Sequence, residues 1–124
     1  MSPIASRAAL WASHLGSLLL EKGQAAEALQ LVEGIHGAVE RGQPGGDEAS
    51  ETVLRLVYAE ALDANGDHAR AKVAIRAAAD RLLAVAAKIS DSAWRMSFLE
   101  RVPENARTLM LARAWGVSPL DGAS

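Results

Sequence analysis

Apolar residues recur at intervals of three and four along most of the chain, which is the spacing that places them on one face of an α-helix. One segment has them at Leu54, Val57, Tyr58, Ala61 and Leu62, and the next has them at Ala71, Ile75, Ala78, Leu82, Val85 and Ile89. No stretch shows the strict alternation of apolar and polar residues that is typical of a half-buried strand. The pattern therefore predicts an all-α fold.

Helix-breaking residues interrupt this pattern at five places. They are Lys22-Gly23, Arg41 to Gly46, Asn65-Gly66, Ile89 to Asp91 and Val102-Pro103. About six helices result. Asp47 and Asp67 each follow a glycine at the start of a helix, where a carboxylate can accept from free backbone N–H groups. Pro103 suits the first position of the last helix.

An internal repeat appears when the sequence is shifted on itself by 43 residues. The shift pairs Leu15 with Tyr58, Gly16 with Ala59, Leu19 with Leu62, Gly23 with Gly66, Ala28 with Ala71, Val32 with Ile75, Ile35 with Ala78 and Val39 with Leu82. In each copy a small residue lets two helices approach, and a glycine then reverses the chain. The repeat predicts two consecutive helix pairs.

These residues resemble the tetratricopeptide repeat. Its pattern is matched by Leu15-Gly16, Leu19, Gly23 and Ala28, and with one conservative change by Tyr58-Ala59, Leu62, Gly66 and Ala71. The resemblance covers residues 8 to 88 and implies two antiparallel helix pairs in a fragment of a right-handed α-solenoid. The pairs are expected at 8–41 and 51–89, with a loop at 42–50. The offset of 43 exceeds the family's 34 residues, and the proline that closes each family repeat is absent.

Two repeats leave apolar faces open, because each repeat buries its surface against a neighbour. Trp94, Phe98 and Val102 follow at intervals of four, so a capping helix pair is expected at 91–116, with a flexible tail at 117–124 and a single domain over the whole chain. Residues 97–109 are also similar to the ending of repeat regions attached to large bacterial signalling proteins, such as Ser/Thr kinases and ATPase regulators. Of the other tryptophans, Trp11 is expected to be partly buried and Trp115 exposed.

Charge and composition exclude several classes of function. The formal net charge is −2, with 13 basic and 15 acidic residues mixed along the chain, which argues against a nucleic-acid or anionic-membrane partner. The chain has no cysteine, so it can form neither a disulfide nor a thiolate zinc site. No apolar run approaches the ~20 residues of a membrane span, and no signal peptide is recognisable. A cytoplasmic location is expected.

Residue patterns that indicate catalysis are missing. The three histidines, His14, His36 and His68, lie in three different segments without a second ligand at helical spacing, and are expected on the surface or at helix ends. No serine occupies a nucleophile motif, and no glycine-rich loop has phosphate-binding spacing. We expect no enzymatic activity, no cofactor and no metal.

The resemblance also implies a binding surface, because the first helix of each pair lines a concave groove in this family. It places ten residues there: Leu10, Ser13, Ser17, Leu20, Glu21, Val53, Leu56, Glu60, Asp63 and Ala64. Family members that bind a C-terminal carboxylate use Lys, Arg and Asn at such places. This groove is instead part apolar and part acidic, which favours a peptide or helix with apolar anchors and some Lys or Arg.

The expected function is therefore an adaptor or regulatory module that binds another polypeptide. The alternative is a structural domain that forms a homo-oligomer through the Ala-rich second helix of repeat two or through the terminal helices. The sequence leaves open the partner, the pathway, the oligomeric state and whether the chain is part of a larger protein. It also leaves open whether the groove or another face is the working surface.

Overall fold

The computed structural model describes residues 7–43 and 47–121, and within them the chain is helical without strands. The helices are α1 (Ala8–Glu21), α2 (Ala25–Glu40), α3 (Glu48–Ala64), α4 (His68–Ala86), α5 (Ser92–Arg101) and α6 (Pro103–Ala114), followed by a 3-10 helix at Pro119–Asp121. The prediction of an all-α fold of about six helices is confirmed. None of the described helices combines the length and the apolar character needed to cross a membrane.

The turns that end α1 and α3 have the same hydrogen bonds, 43 residues apart. Gln24 N–H donates to Leu19 O at 2.8 Å, and Asp67 N–H donates to Leu62 O at 3.0 Å. Both turns contain a glycine with positive φ, 78° at Gly23 and 82° at Gly66. Residues with a Cβ atom rarely adopt this backbone conformation. The internal repeat of the sequence is therefore also a repeat of turn geometry.

The buried positions of α1 are all small residues. They are Ala9, Ala12, Ser13 and Gly16. A Cβ added at Gly16 would lie 2.9 Å from Cγ1 of Val32 in α2 and 3.1 Å from Cγ1 of Val57 in α3. The predicted close approach at Gly16 is present, and it brings α1 against both α2 and α3.

Polar contacts fix the direction of α3 relative to α2. Arg55, in the first half of α3, lies 3.4 Å from the carboxylate of Glu40 at the end of α2. Asn65, directly after α3, donates to Ala25 O at the start of α2 at 2.8 Å. α3 is thus antiparallel to α2. Because the tight turn at Gly23 makes α1 antiparallel to α2 as well, α1 and α3 are parallel.

The chain divides into two compact units, Met1–Ala71 and Lys72–Ser124. The first unit contains α1, α2, α3 and the first turn of α4. Its core includes Val32, Leu54 and Leu62, all fully buried. The prediction of one domain over the whole chain stays a prediction.

In the second unit, α5 and α6 contact each other around the break at Val102-Pro103. Asp91 accepts from Trp94 N–H and caps α5, and Pro103 begins α6 as predicted. The amide of Asn105, which is buried, donates to Phe98 O at 2.9 Å. The guanidinium of Arg95 donates to Ile89 O at 2.7 and 3.0 Å and so anchors the segment before α5.

The expectation that Trp94 would share a buried face with Phe98 is wrong, because Trp94 is 74% exposed. Residues spaced by four drift around a helix by about 40° per step, since one turn takes 3.6 residues. The half-buried residues of α5 are instead Arg95, Ser97, Phe98 and Leu99, and Val102 directly after the helix is half-buried as well.

Other expectations at the edges of elements also differ. Trp11, which was expected to be partly buried, is 60% exposed, and Trp115, which was expected to be exposed, is half-buried. Helix α3 already begins at Glu48, within the expected loop, because Asp47 caps it by accepting from Ser50 N–H at 2.8 Å. In the expected tail, Ser118 is buried and a 3-10 helix follows it. Residues 44–46 and 122–124 of the expected loop and tail lie outside the described residues.

Candidate protein-binding surface

Two of the ten expected groove residues do not reach the surface. Ser13 has no exposed area, and its hydroxyl donates to Ala9 O within α1. Leu56 is 5% exposed. These residues occupy the same position of the two repeats, 43 residues apart. Their assignment to the groove is corrected, because this position belongs to the packing face of each first helix.

The other eight expected residues keep exposed or half-exposed side chains. We call them the groove face: Leu10, Ser17, Leu20, Glu21, Val53, Glu60, Asp63 and Ala64. Gly16 and its counterpart Ala59 are both buried, as are Ser13 and its counterpart Leu56, so α1 and α3 bury corresponding sides. The two helices are also parallel, so the groove face lies on one side of the first unit.

The groove face combines apolar and acidic side chains. Leu20 and Val53 are half-buried, which leaves part of each available for contact. The acidic members are Glu21, Glu60 and Asp63. One Asp63 carboxylate oxygen lies 2.7 Å from Nδ1 of the exposed His68 at the start of α4. The surface suits apolar and cationic groups better than anionic ones.

A second apolar area, which is not part of the expected binding surface, lies on another side of α1. Trp11 and Leu18 are 60% and 51% exposed and are separated by two helical turns. Their counterparts in α3, Leu54 and Ala61, are fully buried. The internal repeat could have revealed this area, because the same position is a core residue in one copy and a surface residue in the other.

A cluster of polar and aromatic side chains joins α2 to α3 and α4. The rings of His36 and Tyr58 are stacked, with centroids 3.9 Å apart and an angle of 17° between the planes. The guanidinium of Arg70 donates to the Tyr58 hydroxyl at 3.0 Å and to Glu33 at 2.9 Å. The hydrogen bonds to Glu33 and Tyr58 raise the pKa of Arg70. The cluster connects the first helix pair to the second.

Arg55 extends this cluster along α3. It forms ion pairs with Glu40 at 3.4 Å and with Glu51 at 3.3 Å, while its Nη1 atom is buried without a hydrogen-bond partner among the described residues. Burial lowers the pKa of His36, and the charge of Arg55 lowers it further against the opposing effect of Glu40. His36 was expected on the surface or at a helix end, and its half-buried position inside α2 corrects that expectation.

Among the described residues of the second unit, one apolar hollow lies beside α5 and another between α5 and α6. The first, of about 500 Å³, is bordered by Trp94 and Met96, and the second, of about 460 Å³, by Leu109 and Met110. Glu100 lines both hollows. Neither has the convergent set of polar groups that orients a small ligand.

The described residues contain no group of three His, Asp or Glu side chains placed to hold a metal ion. Comparisons with family models, with curated proteins and with solved structures returned no match.

Proposed function

We propose that the chain is a protein-binding module, without enzymatic activity, that acts as an adaptor or regulatory scaffold. It binds a peptide or a helix along the groove face of α1 and α3. The observation that supports this most directly is that α1 and α3 are parallel. Their corresponding accessible residues therefore lie side by side on one side of the unit.

The length of the surface suits an extended or helical segment. Each helix of 14 to 17 residues spans about 20 to 25 Å, which accommodates several turns of a bound helix. Exposed parts of Leu10, Leu20 and Val53 would contact apolar anchors of the partner.

The charge of the surface specifies the partner further. Glu21, Glu60 and Asp63 would attract Lys or Arg side chains, and such rim contacts act mainly on the association rate and on the choice of partner. The preferred ligand is thus an amphipathic segment with apolar anchors and basic residues.

Selection from a displayed random-peptide library on the immobilised chain tests this proposal. We expect the selected peptides to be enriched in Lys, Arg and large apolar residues. A synthetic copy of one selected peptide should lose at least about tenfold in affinity, by fluorescence anisotropy, against the double variant Glu60→Arg, Ala64→Arg.

Val73→Arg is the matched control, because Val73 is 71% exposed on α4 and outside the groove face. It adds a positive charge without touching the surface under test, so peptide affinity should stay unchanged. Both variants should show unaltered helicity and urea midpoint. Acidic selected peptides, or equal binding to the double variant and the native chain, would contradict the proposal.

A further inference from the structure

One side of α1 is exposed along its whole length. It consists of Arg7, Trp11, His14, Leu18 and Glu21, which follow at alternating spacings of four and three. We call this side the open face. The spacing is that of a seam along which one helix packs against another.

The second repeat shows what this side of the helix does when it is covered. Shifted by 43 residues, the first four positions of the open face become Ser50, Leu54, Val57 and Ala61, and all four are buried. Val57 lies against α1 at Gly16. In repeat two this side of α3 therefore packs against another helix. In repeat one the corresponding side of α1 has no partner among the described residues.

The residues of the open face are spaced almost symmetrically on the two sides of His14. Arg7 lies seven residues before it and Glu21 seven residues after it, while Trp11 and Leu18 lie three before and four after. At a rise of 1.5 Å per residue, each charge is about 10 Å from the centre, in opposite directions along the helix. Reversing the direction of the helix exchanges the positive end with the negative end and the indole with the leucine.

A surface that pairs with itself about a twofold axis needs this kind of complementarity. We infer that a second copy of this chain covers the open face, with the two α1 helices antiparallel and crossing near His14. Arg7 of each copy then lies beside Glu21 of the other, and Trp11 lies beside Leu18. Lys22 is on the flank that faces Trp11 of the other copy, where a cation can lie over the indole ring.

The charges also decide the orientation. A parallel pairing would place Arg7 against Arg7 and Glu21 against Glu21, so like charges would meet at both ends. One helix per copy buries less than a standard interface, so the dimer is weak and depends on concentration. This inference does not rest on the proposed groove face, since apart from Glu21 the two surfaces share no residue.

Sedimentation equilibrium of the full chain over a wide concentration range tests the inference. The native chain should show a monomer–dimer equilibrium. Leu18→Glu should raise the dissociation constant at least about tenfold, because it buries a charge within the contact, beside Trp11 of the other copy. Val73→Glu places the same charge on an exposed apolar position of α4 and should leave the equilibrium unchanged.

Charge reversal provides the specific readout. Arg7→Glu and Glu21→Arg should each weaken the dimer, because each brings like charges together at both ends. The double variant Arg7→Glu, Glu21→Arg should recover the native dissociation constant, since the pairs are restored with reversed sign. An equimolar mixture of the two single variants should also form dimers, because each variant supplies the charges that the other lacks.

Three results would overturn the inference. The native chain could be a monomer at every concentration, its dimer could tolerate Leu18→Glu, or the double variant could fail to restore the dimer that the single charge reversals weaken. Binding of a different protein to the open face of a strictly monomeric chain would assign this face to another occupant and overturn the inference as well.

Discussion

His36 in α2 stacks on Tyr58 in α3, and the same tyrosine accepts a hydrogen bond from Arg70 in α4. Arg70 also pairs with Glu33, one turn before His36 in α2. The four side chains thus link α2 to α3 and to the first turn of α4. These directional contacts add to the apolar packing around Gly16 of α1, which lies close to Val32 of α2 and Val57 of α3.

The stability of the first unit should depend on pH through His36. Burial lowers the pKa of His36 below its ordinary value of 6.5, so the native state keeps the ring neutral where the unfolded chain protonates it. The unfolded state then binds more protons, and the free energy of unfolding falls as pH falls below about 6.5 towards the native pKa. Urea unfolding between pH 8 and 5, followed by circular dichroism, measures this slope.

His36→Phe keeps an aromatic ring against Tyr58 and removes the titrating group. Its free energy of unfolding should be less dependent on pH than that of the native chain in the same range. Identical slopes for His36→Phe and the native chain would show that His36 does not cause the dependence.

Local signals in the sequence were sufficient for much of the fold. The glycine turns at Gly23 and Gly66, the cap at Asp47 and the start of α6 at Pro103 each depend on a few neighbouring residues. Such signals can be recognised in the sequence without knowing which element packs against the helix. The close approach at Gly16 was also predictable, because the repeat shift paired it with another small residue.

The surfaces were less predictable, because periodicity identifies a face of a helix but not the neighbour that covers it. Trp11 and Leu54 occupy the same repeat position, yet Leu54 is fully buried and Trp11 is 60% exposed. Ser13 and Leu56 were misplaced because the groove was carried over from the family pattern alone. His36 and Tyr58 are 22 positions apart and lie in different helices, so no local sequence pattern predicts that their rings stack.

Gly16→Ala should destabilise the first unit although alanine favours helices. The added methyl group would meet Val32 at 2.9 Å and Val57 at 3.1 Å, and valine in a helix has few alternative rotamers with which to move away. Overpacking costs about 1–3 kcal/mol, against a gain of up to about 1 kcal/mol in helix propensity. The free energy of unfolding should therefore fall by about 1–2 kcal/mol in urea titrations.

Gly34→Ala is the matched control for that substitution. Gly34 is exposed in α2, and a Cβ there would have no neighbour within 4 Å. The same change should therefore stabilise the chain by up to about 1 kcal/mol. Stabilisation by both substitutions would contradict the close packing of α1 on α2 and α3.

Asn65→Ala should loosen the contact between the end of α3 and the start of α2. The Asn65 amide donates to Ala25 O at 2.8 Å and to Ala61 O at 2.7 Å, and alanine can make neither bond. We expect a loss of about 1 kcal/mol in the free energy of unfolding, the usual net value of such hydrogen bonds. Lys22 occupies the same position of the first repeat and is exposed, so Lys22→Ala should change stability little. Equal losses for the two variants would show that helix-end propensity, and not the bond to Ala25, causes the effect.

Gln24→Asp should stabilise the start of α2 by transferring to repeat one a cap that repeat two already has. Asp67 precedes α4 and accepts from Arg70 N–H at 3.2 Å, whereas Gln24, its counterpart before α2, makes no side-chain cap bond. Asp67 also shows that an aspartate fits directly after the glycine turn. Because an aspartate cap satisfies a free N–H group and opposes the positive end of the helix dipole, the gain should be about 0.5–1 kcal/mol. Gln24→Asn separates the hydrogen bond from the interaction with the helix dipole, since asparagine retains the acceptor without the charge. Its gain in the free energy of unfolding should largely persist in 1 M salt. If Gln24→Asp and Gln24→Ala give the same urea midpoint, the two turns are not equivalent at this position.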